Sequence, residues 1–524
     1  MPIDISEFAN EPATNFNEPA SAQTMRDALV QAQREFGKEY PLLIGGEPIK
    51  TGQKIRSLNP SNPKDVVGIV QRATVAHAEQ ALAAATVAFG DERDGPGWRW
   101  TPAEVRAKYA LRAAAAMRRR RCELNAWLIL EAGKSWNEAD GDVAEAIDFC
   151  EFYAREALRY DGAQPVGRVP GEKTELFYLP LGVGVVIPPW NFPFAILTGM
   201  TVAAWVTGNT VVLKPSSETP IIAVKFMEVM DEIGLPPGVV NLVTGPGCEV
   251  GDHLVADPRT RFVAFTGSRE VGLHVVEQAA VHRPGQRWIK RVIAEMGGKN
   301  ATIIDDESDL DAAVDGVALA AYGFQGQKCS ACSRAIVAAS VHDRFVERLA
   351  ARIQEITVGP VSDMRHWMGP VISERQLKSV QKYIDIGRGE GRVVCGGKRI
   401  STDGFFLEPT LVADVEPKAR IAQEEIFGPV CAVLKANSFE EALQIANGTE
   451  YGLTGAVFSN NRQHLERARR EFFVGNLYLN RKSSGALVSG HPFGGFNMSG
   501  TDSKAGGRDY LSHFLQAKSV AERL

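Results

Sequence analysis

Short apolar runs alternate with helical patterns through the middle of the chain, beginning at Gly182. The runs predict strands, and the segments between them have the periodicity of helices. The predicted strands are 183–187, 210–214, 239–243, 262–265 and 289–294, and the predicted helices are 194–206, 219–233, 248–256 and 269–280. This alternation predicts a parallel sheet covered by helices on both faces. It is typical of a dinucleotide-binding domain, whose ligand groups lie at the carboxyl ends of the strands.

A second alternation of the same kind begins at Asn300. It predicts a strand at 301–305, a helix at 309–325, a strand at 334–338 and a helix at 341–356, with further elements between 430 and 480. We therefore predict a second α/β domain.

The pattern before Gly182 is different. Residues 1–40 are typical of an arm with some helix, and 41–72 predict short strands. Three helical patterns follow at about 75–90, 102–132 and 136–160, and residues 162–178 alternate in the manner of a hairpin.

The usual glycine fingerprint of nucleotide-binding turns, G-x-G-x-x-G, does not occur in the first α/β region. The nearest candidates are Gly182-Val183-Gly184, inside a predicted strand, and Gly245-Pro246-Gly247, in a turn. This motif alone therefore leaves nucleotide binding open.

Composition and charge exclude several classes of protein. The chain has 524 residues, 44% of them hydrophobic, and a net charge of −5, which argues against nucleic acid held by bulk electrostatics. The basic run 118–121 follows an alanine-rich stretch and is interpreted as a solvated helix end or a subunit contact. The uncharged stretch 179–213 is interrupted by prolines and glycines, so we predict no membrane span there.

Cysteine usage and the N-terminus indicate a reducing compartment. Seven cysteines in so long a chain do not form a disulfide framework, and residues 1–19 lack the apolar segment of a secretory signal. We expect a cytoplasmic protein.

Cys329 is the first candidate for chemistry. It lies in Gly326-Gln327-Lys328-Cys329-Ser330-Ala331-Cys332, where the two cysteines have the spacing of a redox pair or of half a zinc site. The chain has no second Cys-x-x-Cys, so no metal is predicted, and Cys332 is expected to be buried and inert. A cation at Lys328 and nearby backbone N–H groups would favour the thiolate of Cys329, which is the nucleophilic form.

Glu295 ends a predicted strand beside two glycines, in Glu295-Met296-Gly297-Gly298. A carboxylate there can project over a crevice and act as a general base. On local grounds alone, a solvated loop glutamate explains the pattern equally well.

Seven motifs, in order between about 183 and 500, resemble those of the aldehyde dehydrogenase superfamily. They are Pro189-Trp190-Asn191-Phe192-Pro193, Leu213-Lys214-Pro215, Phe265-Thr266-Gly267-Ser268, Glu295-Met296-Gly297-Gly298, Gly326-Gln327-Lys328-Cys329, Glu425-Ile426-Phe427-Gly428-Pro429 and Pro492-Phe493-Gly494-Gly495. The 34 positions from Glu295 to Cys329 also fit that family's base and nucleophile.

The resemblance implies a role for each motif. Cys329 would be the nucleophile, Glu295 the general base, and Asn191 a donor to the oxyanion together with the N–H of Cys329. The family's variant Rossmann domain would bind the dinucleotide without the glycine fingerprint, and its implied contacts are Pro189, Trp190, Lys214, Ser217, Gly267, Ser268, Glu425 and Phe427. Lys214 would bind the adenosine ribose, Ser268 the pyrophosphate and Glu425 the nicotinamide ribose.

One branch of the family resembles this chain in particular. The run 329–334 and the segment Ser484-Gly485-Ala486-Leu487-Val488 are similar to the branch that oxidises L-glutamate γ-semialdehyde to L-glutamate in proline catabolism. That semialdehyde is the open form of Δ1-pyrroline-5-carboxylate. The arm and the length resemble the stand-alone bacterial form. Another semialdehyde or an aliphatic aldehyde is the alternative substrate.

That branch implies how the substrate is held. Ser330 offers a hydroxyl to the α-carboxylate, and Gly485 and Ala486 are small enough for their N–H groups to approach an anion. Phe192 and Phe493 would pack on the methylene chain. On local grounds alone, Gly485-Ala486 is equally consistent with a flexible loop.

The resemblance also implies an overall organisation. The expected parts are an arm (1–40), a dinucleotide-binding domain (41–161 and 181–295), a catalytic domain (296–501) and a small β oligomerisation flap (162–180 and 502–524). A homo-oligomer is implied, either a dimer or a hexamer of dimers. Ser217 stands where NAD-preferring relatives often carry an acid, with Glu218 one position on. We therefore expect NAD as cofactor with some use of NADP.

Overall fold

The computed structural model of the protein describes residues 6–90 and 97–524. Its helices are α1 (Pro19–Arg34), α2 (Val75–Phe89), α3 (Ala103–Arg119), α4 (Arg121–Ala132), α5 (Trp136–Asp161), α6 (Ala195–Val206), α7 (Pro220–Glu232), α8 (Asp252–Ala256), α9 (Arg269–Ala280), α10 (Leu310–Tyr322), α11 (His342–Gln354), α12 (Glu374–Glu390), α13 (Arg420–Gln423), α14 (Phe439–Asn447) and α15 (Arg462–Glu471). Its strands are β1 (Glu39–Tyr40), β2 (Leu42–Ile44), β3 (Glu47–Ile49), β4 (Lys54–Asn59), β5 (Asn62–Gln71), β6 (Glu172–Pro180), β7 (Val183–Ile187), β8 (Thr210–Leu213), β9 (Val240–Leu242), β10 (Phe262–Thr266), β11 (Arg291–Glu295), β12 (Ala301–Ile304), β13 (Arg334–Ala338), β14 (Arg392–Cys395), β15 (Thr410–Ala413), β16 (Val430–Ala436), β17 (Tyr451–Gly452), β18 (Thr454–Phe458), β19 (Asn476–Leu479), β20 (Phe496–Asn497) and β21 (Leu515–Arg523).

The first α/β region forms a seven-stranded sheet in the order β11-β10-β7-β8-β9-β2-β3. Strands β7 to β11 are parallel, as predicted, and β2 and β3 add an antiparallel edge. These parallel strands are largely apolar because helices cover both faces. The strand order reverses between β7 and β10, and such a switch point opens a crevice at the carboxyl ends of the strands.

The second region forms another seven-stranded sheet in the order β14-β15-β16-β13-β12-β18-β19. Its strands are parallel except β14, which confirms the second α/β unit. Apolar clusters lie on both of its faces.

The two sheets are joined end to end. Strand β11 ends at Glu295, and β12 of the second sheet begins only a short segment later, at Ala301. Residues that follow strands of the first sheet therefore meet residues that precede strands of the second. Glu295 is the last residue of β11, whereas Cys329 and Glu425 precede β13 and β16.

Three sequence predictions need correction. The helix predicted at 102–132 is two helices, because the chain turns at Arg120. The helix predicted at 309–325 ends at Tyr322, since Phe324 and Gln325 adopt left-handed backbone conformations. The hairpin predicted at 162–178 is wrong: its second half is β6, which pairs with the C-terminal strand β21. Pro165 and Pro170 lack the N–H donors that a ladder within this segment would need.

The basic run 118–121 pairs with acidic side chains of the same chain. Arg118 binds Glu11 and Glu151, Arg119 binds Glu232, Arg120 binds Glu123 and Glu228, and Arg121 binds Asp140. Glu11 of the N-terminal arm also lies 3.4 Å from Arg121, so the arm is held against α3 and α4. The run therefore organises the helical layer.

The uncharged stretch 179–213 is divided among the end of β6, β7, α6 and β8, with its turns between them. Among residues 6–90 and 97–524, no helix is long and apolar enough to cross a membrane.

Candidate active site

A strained turn presents the candidate nucleophile. Phe324, Gln325 and Gly326 have φ angles of 49°, 57° and 65°, a conformation that costs free energy for the first two. The amide of Gln325 stabilises the turn by donating to the carbonyls of Gly133 (3.0 Å) and Pro370 (2.7 Å). Strain of this kind is characteristic of functional loops.

Asn300 holds the loop that follows. Its Nδ2 donates to the carbonyls of Cys329 (2.7 Å) and Ala331 (2.9 Å), and its Oδ1 accepts from the N–H of Thr454 (3.0 Å). The carbonyls are thereby turned toward Asn300, while the N–H of Ser330 bonds the Cys329 thiol. Asn300 is a site residue that sequence reasoning missed.

The Cys329 thiol lies in an environment that opposes its ionisation. Burial raises its pKa to about 12, and the nearby Glu425 and Glu295 act in the same direction, against a smaller effect of the Ser330 N–H. The prediction that Lys328 favours the thiolate is wrong, because its ammonium group pairs with Glu138 at 2.6 Å. In this state the thiol is protonated, and a cation bound in the crevice would favour the thiolate.

Cys332 is buried, as predicted. Its Sγ lies 3.1 Å from the hydroxyl of Thr302, within the apolar core beneath the loop. The two cysteines of the motif therefore have different surroundings.

Asn191 reaches the nucleophile loop from the first sheet. It follows β7, is buried, and its Nδ2 donates to the carbonyl of Gln327 at 3.0 Å. An amide nitrogen carries two hydrogens, so the second can serve an oxyanion beside Cys329.

Glu295 lies at the end of β11, where three donors engage its carboxylate. Ser503 donates to Oε1 from its hydroxyl (2.6 Å) and its N–H (3.2 Å), and Gly495 donates to Oε2 (3.2 Å). Burial outweighs these bonds and raises its pKa to about 7. A carboxyl group with a pKa near neutrality is suited to general base chemistry.

Glu425 and the aromatic residues beside it form one wall of the crevice. Glu425 accepts from the N–H of Gly298 at 3.0 Å, and burial raises its pKa to about 7. Phe427 has a φ of 56°, and its ring packs edge-on against Trp190, with centroids 5.3 Å apart. Pro189 is buried beside them.

The remaining cofactor candidates follow strands of the first sheet. Lys214 follows β8, is buried, and donates to the carbonyls of Pro215 and Gly245, and burial lowers its pKa to about 8. Gly267 and Ser268 follow β10, and Ser268 caps α9 by accepting from the N–H of Val271. Ser217 is exposed, whereas Glu218 is partly buried and lies 3.8 Å from Arg375.

The candidate substrate residues lie on both sides of Cys329. Ser330 is buried, and its carbonyl accepts from the hydroxyl of Ser483 at 3.4 Å, which ties the loop to the residue directly before the 484–488 segment. Gly485 has a φ of 81° and is exposed. Phe192 packs edge-on against Phe324, with centroids 6.4 Å apart, and Phe493 is half-buried and bonded through its backbone to Ala505.

Arg481 shapes the 484–488 segment and was not predicted. Its Nη2 donates to the carbonyls of Ser484 (3.1 Å) and Gly485 (3.0 Å). Fixing these carbonyls restricts the directions that the N–H groups of Gly485 and Ala486 can take. Ala486 itself is half-buried.

Glu145, on α5, is a third residue that sequence reasoning missed. Within the described part of the chain, its carboxyl group makes no hydrogen bond or ion pair, and burial raises its pKa to about 8. It lies close enough to Cys329 to raise the pKa of that thiol. A partly buried carboxyl group without a partner, near the candidate nucleophile, is suited to bind a cation.

A buried thiol, a side-chain amide and a buried carboxyl group lie together in a crevice beside a Rossmann-type sheet, an arrangement that suits an enzyme with a nucleophilic thiol. The model of the aldehyde dehydrogenase family matches residues 49–520, and the chain belongs to that family. It is 54% identical over 518 residues to 1-pyrroline-5-carboxylate dehydrogenase of Geobacillus thermodenitrificans, with 99% of each chain covered. It is 52% identical over 515 residues to 1-pyrroline-5-carboxylate dehydrogenase 2 of Bacillus subtilis, covering 98% of this chain and 99% of the relative.

A solved structure agrees with these relatives. The crystal structure of 1-pyrroline-5-carboxylate dehydrogenase from Thermus with bound NAD superposes with a TM-score of 0.97, at 51% identity and with 100% of both chains covered. The α/β aldehyde dehydrogenase fold expected from the sequence is thereby confirmed.

Proposed function

We propose that this protein oxidises L-glutamate γ-semialdehyde, the open form of Δ1-pyrroline-5-carboxylate, to L-glutamate, with NAD as the electron acceptor, as the second step of proline catabolism. The observation that carries the proposal is the meeting of Cys329, Asn191 and Glu295 in one crevice, with Ser330 and the 484–488 segment beside it. Relatives named for this activity, 52–54% identical over nearly the whole chain, support the choice of substrate.

The chemistry follows from the positions of three side chains. The Cys329 thiolate adds to the aldehyde carbon, and the resulting oxyanion accepts hydrogen bonds from Asn191 and from the N–H of Cys329. One such donor is worth roughly 10²–10³ in rate. Loss of hydride from the adduct leaves a thioester on Cys329. Glu295 then takes a proton from water, which attacks the thioester and releases the carboxylic acid.

The residues of the crevice fit a dinucleotide. The buried Lys214 ammonium donates to two carbonyls and has a third hydrogen to offer, and the N-terminus of α9 at Ser268 favours an anionic group. Pro189, Trp190, Gly267, Glu425 and Phe427 would complete the site. When bound, NAD supplies a cationic nicotinamide ring that favours the thiolate and accepts the hydride.

Ser217 is expected to influence the choice between NAD and NADP. A Ser217→Glu variant should lose about tenfold in kcat/KM with NADP, because the new carboxylate repels the 2′-phosphate, and much less with NAD. Steady-state kinetics with both dinucleotides measures the ratio. An equal loss with both would show that Ser217 does not face the adenosine ribose and would leave Glu218 as the residue that sets the preference.

The proposed substrate carries two charged groups, an α-carboxylate and an α-ammonium group, at the end opposite the aldehyde. We propose that Ser330, Gly485 and Ala486 bind its α-carboxylate, that Phe192 and Phe493 pack on its methylene chain, and that Glu145 binds its α-ammonium group. The unpartnered carboxyl of Glu145 supports the last assignment, since pairing with an ammonium would offset the burial that raises its pKa.

A panel of three aldehydes tests the proposed substrate. We expect kcat/KM to be highest for L-glutamate γ-semialdehyde, lower for 5-oxopentanoate, which lacks the ammonium group, and lowest for butyraldehyde, which lacks both charges. Each charged hydrogen bond is worth about tenfold or more. A wild-type preference for butyraldehyde would contradict the proposed substrate while leaving the family assignment intact.

Two variants separate the charges and control for each other. Ser330→Ala should lower kcat/KM about ten- to a hundredfold for both carboxylate-bearing aldehydes and much less for butyraldehyde. Glu145→Gln should lower it selectively for the amino-acid semialdehyde. Equal losses for all three aldehydes would instead indicate a disturbance of Cys329.

The remaining proposals concern the domains, the oligomeric assembly and the cellular compartment. We propose that residues 41–161 with 181–295 bind the dinucleotide, that 296–501 carry the nucleophile, and that β6 and β21, within 162–180 and 502–524, join protomers of a homo-oligomer. This ribbon is largely exposed in the single chain, and sedimentation of the full chain tests its role.

Because all seven cysteines are free thiols, we propose that the protein works in the reducing cytoplasm.

A further inference from the structure

The segment 495–503 lies along the end of β11 and encloses Glu295. The N–H of Met296 donates to the carbonyl of Ser499 (2.7 Å), and the N–H of Thr501 donates to the carbonyl of Ala294 (2.9 Å). These bonds are made on both sides of Glu295 in the sequence. The segment is therefore fixed relative to the carboxylate rather than merely near it.

Ser503 makes the shortest contact with that carboxylate. Its side chain is buried, and its hydroxyl lies 2.6 Å from Oε1, a length typical of an O–H donor to an ionised acceptor. The residues on either side, Asp502 and Lys504, both have a φ of 53°. With a left-handed residue on each side, the N–H and the hydroxyl of Ser503 both reach the same oxygen.

Glycines allow the carboxylate to sit this close to the backbone. A Cβ at Gly494 would lie 3.1 Å from Oε1 of Glu295, and one at Gly500 would lie 3.0 Å from Oε2. Side chains at these positions would displace the carboxylate. The backbone around Glu295 thus fits one position of its carboxylate.

We propose that Ser503 is a positioning residue for the general base: its hydroxyl holds the Glu295 carboxylate in the ionised form and in the pose from which it accepts a proton from water. The proposal rests on the proposed function, in which Glu295 is that base. A carboxylate offers about four acceptor positions, and three are filled by Ser503 and Gly495, so one remains for the water.

Electrostatics gives this arrangement a measurable consequence. The groups that face Glu295 are the ammonium of Lys504, which directly follows the segment, the Cys329 thiol across the crevice, and the Tyr510 hydroxyl from the 3₁₀ turn Tyr510–Phe514. Burial raises the pKa of Glu295 to about 7, and the Ser503 hydroxyl is the strongest influence that lowers it. Removing that hydroxyl should therefore raise the pKa further and leave the base protonated at neutral pH.

The experiment compares Ser503→Ala with two matched variants of the full-length enzyme. In rapid mixing with L-glutamate γ-semialdehyde and NAD, we expect an unchanged burst of reduced dinucleotide in Ser503→Ala. Deacylation should be about ten- to thirtyfold slower at pH 7, and its pH midpoint should move upward by about one to two units. Ser503→Thr, which keeps the hydroxyl, should recover the wild-type midpoint.

Thr501→Val is the control for a merely structural effect. Thr501 lies on the same segment, but among residues 6–90 and 97–524 its hydroxyl bonds only the backbone of Ala294, at 3.1 and 3.3 Å. This variant should leave the pH midpoint unchanged. An unshifted midpoint in Ser503→Ala, or the same loss in Thr501→Val, would overturn the proposal. Normal deacylation in Glu295→Gln would show that Glu295 is not the base, and the proposed function of that residue would fail as well. Slow deacylation in Glu295→Gln together with normal deacylation in Ser503→Ala would overturn the role of Ser503 alone.

Discussion

Cys329→Ala is expected to abolish oxidation, with a loss on the order of 10⁴–10⁶ in turnover, as for other enzymes that lose their nucleophile. Without the thiol no adduct forms, so neither the steady state nor the burst of reduced dinucleotide should survive. Dinucleotide binding should persist, because the proposed binding residues are unchanged, and fluorescence titration measures it. Retained turnover would show that another group attacks the aldehyde.

Cys332→Ala is the matched control for that variant. It removes a thiol three positions away, from a buried site beside Thr302 within the apolar core beneath the loop. We expect most of the activity to remain, with a modest loss of thermal stability from the small cavity left behind. Comparable inactivation of the two variants would indicate that the loop, and not the Cys329 thiol, is what the enzyme needs.

The sequence predicts both sheets because a strand buried on both faces is apolar along its whole length. Strands β7, β8, β10, β12 and β13 therefore lie close to where the pattern places them. The pairing of β6 with β21 could not be predicted in this way, since more than 300 residues separate the partners and local alternation is equally consistent with a hairpin. The hydrophobic pattern identifies a strand but does not show which other strand it pairs with.

In the candidate site, too, the sequence predicts some residues and gives no signal for others. The motif residues could be assigned because the resemblance carries their roles residue by residue. Asn300, Ser503 and Arg481 act through contacts with backbone or with another side chain, so their own sequence surroundings give no signal. Lys328 illustrates the converse error, because its neighbour in sequence is Cys329 but its partner is Glu138, 190 residues away.

Glu295→Gln is expected to separate the two halves of the reaction. The amide is nearly isosteric, and its oxygen can keep the contacts with Ser503, whereas its nitrogen cannot accept from the N–H of Gly495 and the group cannot accept a proton from water. The adduct should still form and lose hydride, so a burst of reduced dinucleotide should remain. Hydrolysis of the thioester should then slow by roughly 10²–10⁴, the usual contribution of a general base. Rapid-mixing absorbance at the reduced dinucleotide band resolves the two phases.

The pH dependence and a chemical rescue make this prediction specific. A base must be unprotonated to act, so wild-type deacylation should rise with pH through the Glu295 pKa of about 7 and level off above it, and this rise should be absent in Glu295→Gln. Hydroxylamine, a nucleophile that attacks thioesters without a base, should restore turnover to Glu295→Gln but not to Cys329→Ala. If the burst is lost together with turnover and hydroxylamine restores nothing, Glu295 acts before the thioester forms. The carboxylate would then serve to ionise the thiol, the step that the high pKa of Cys329 makes difficult.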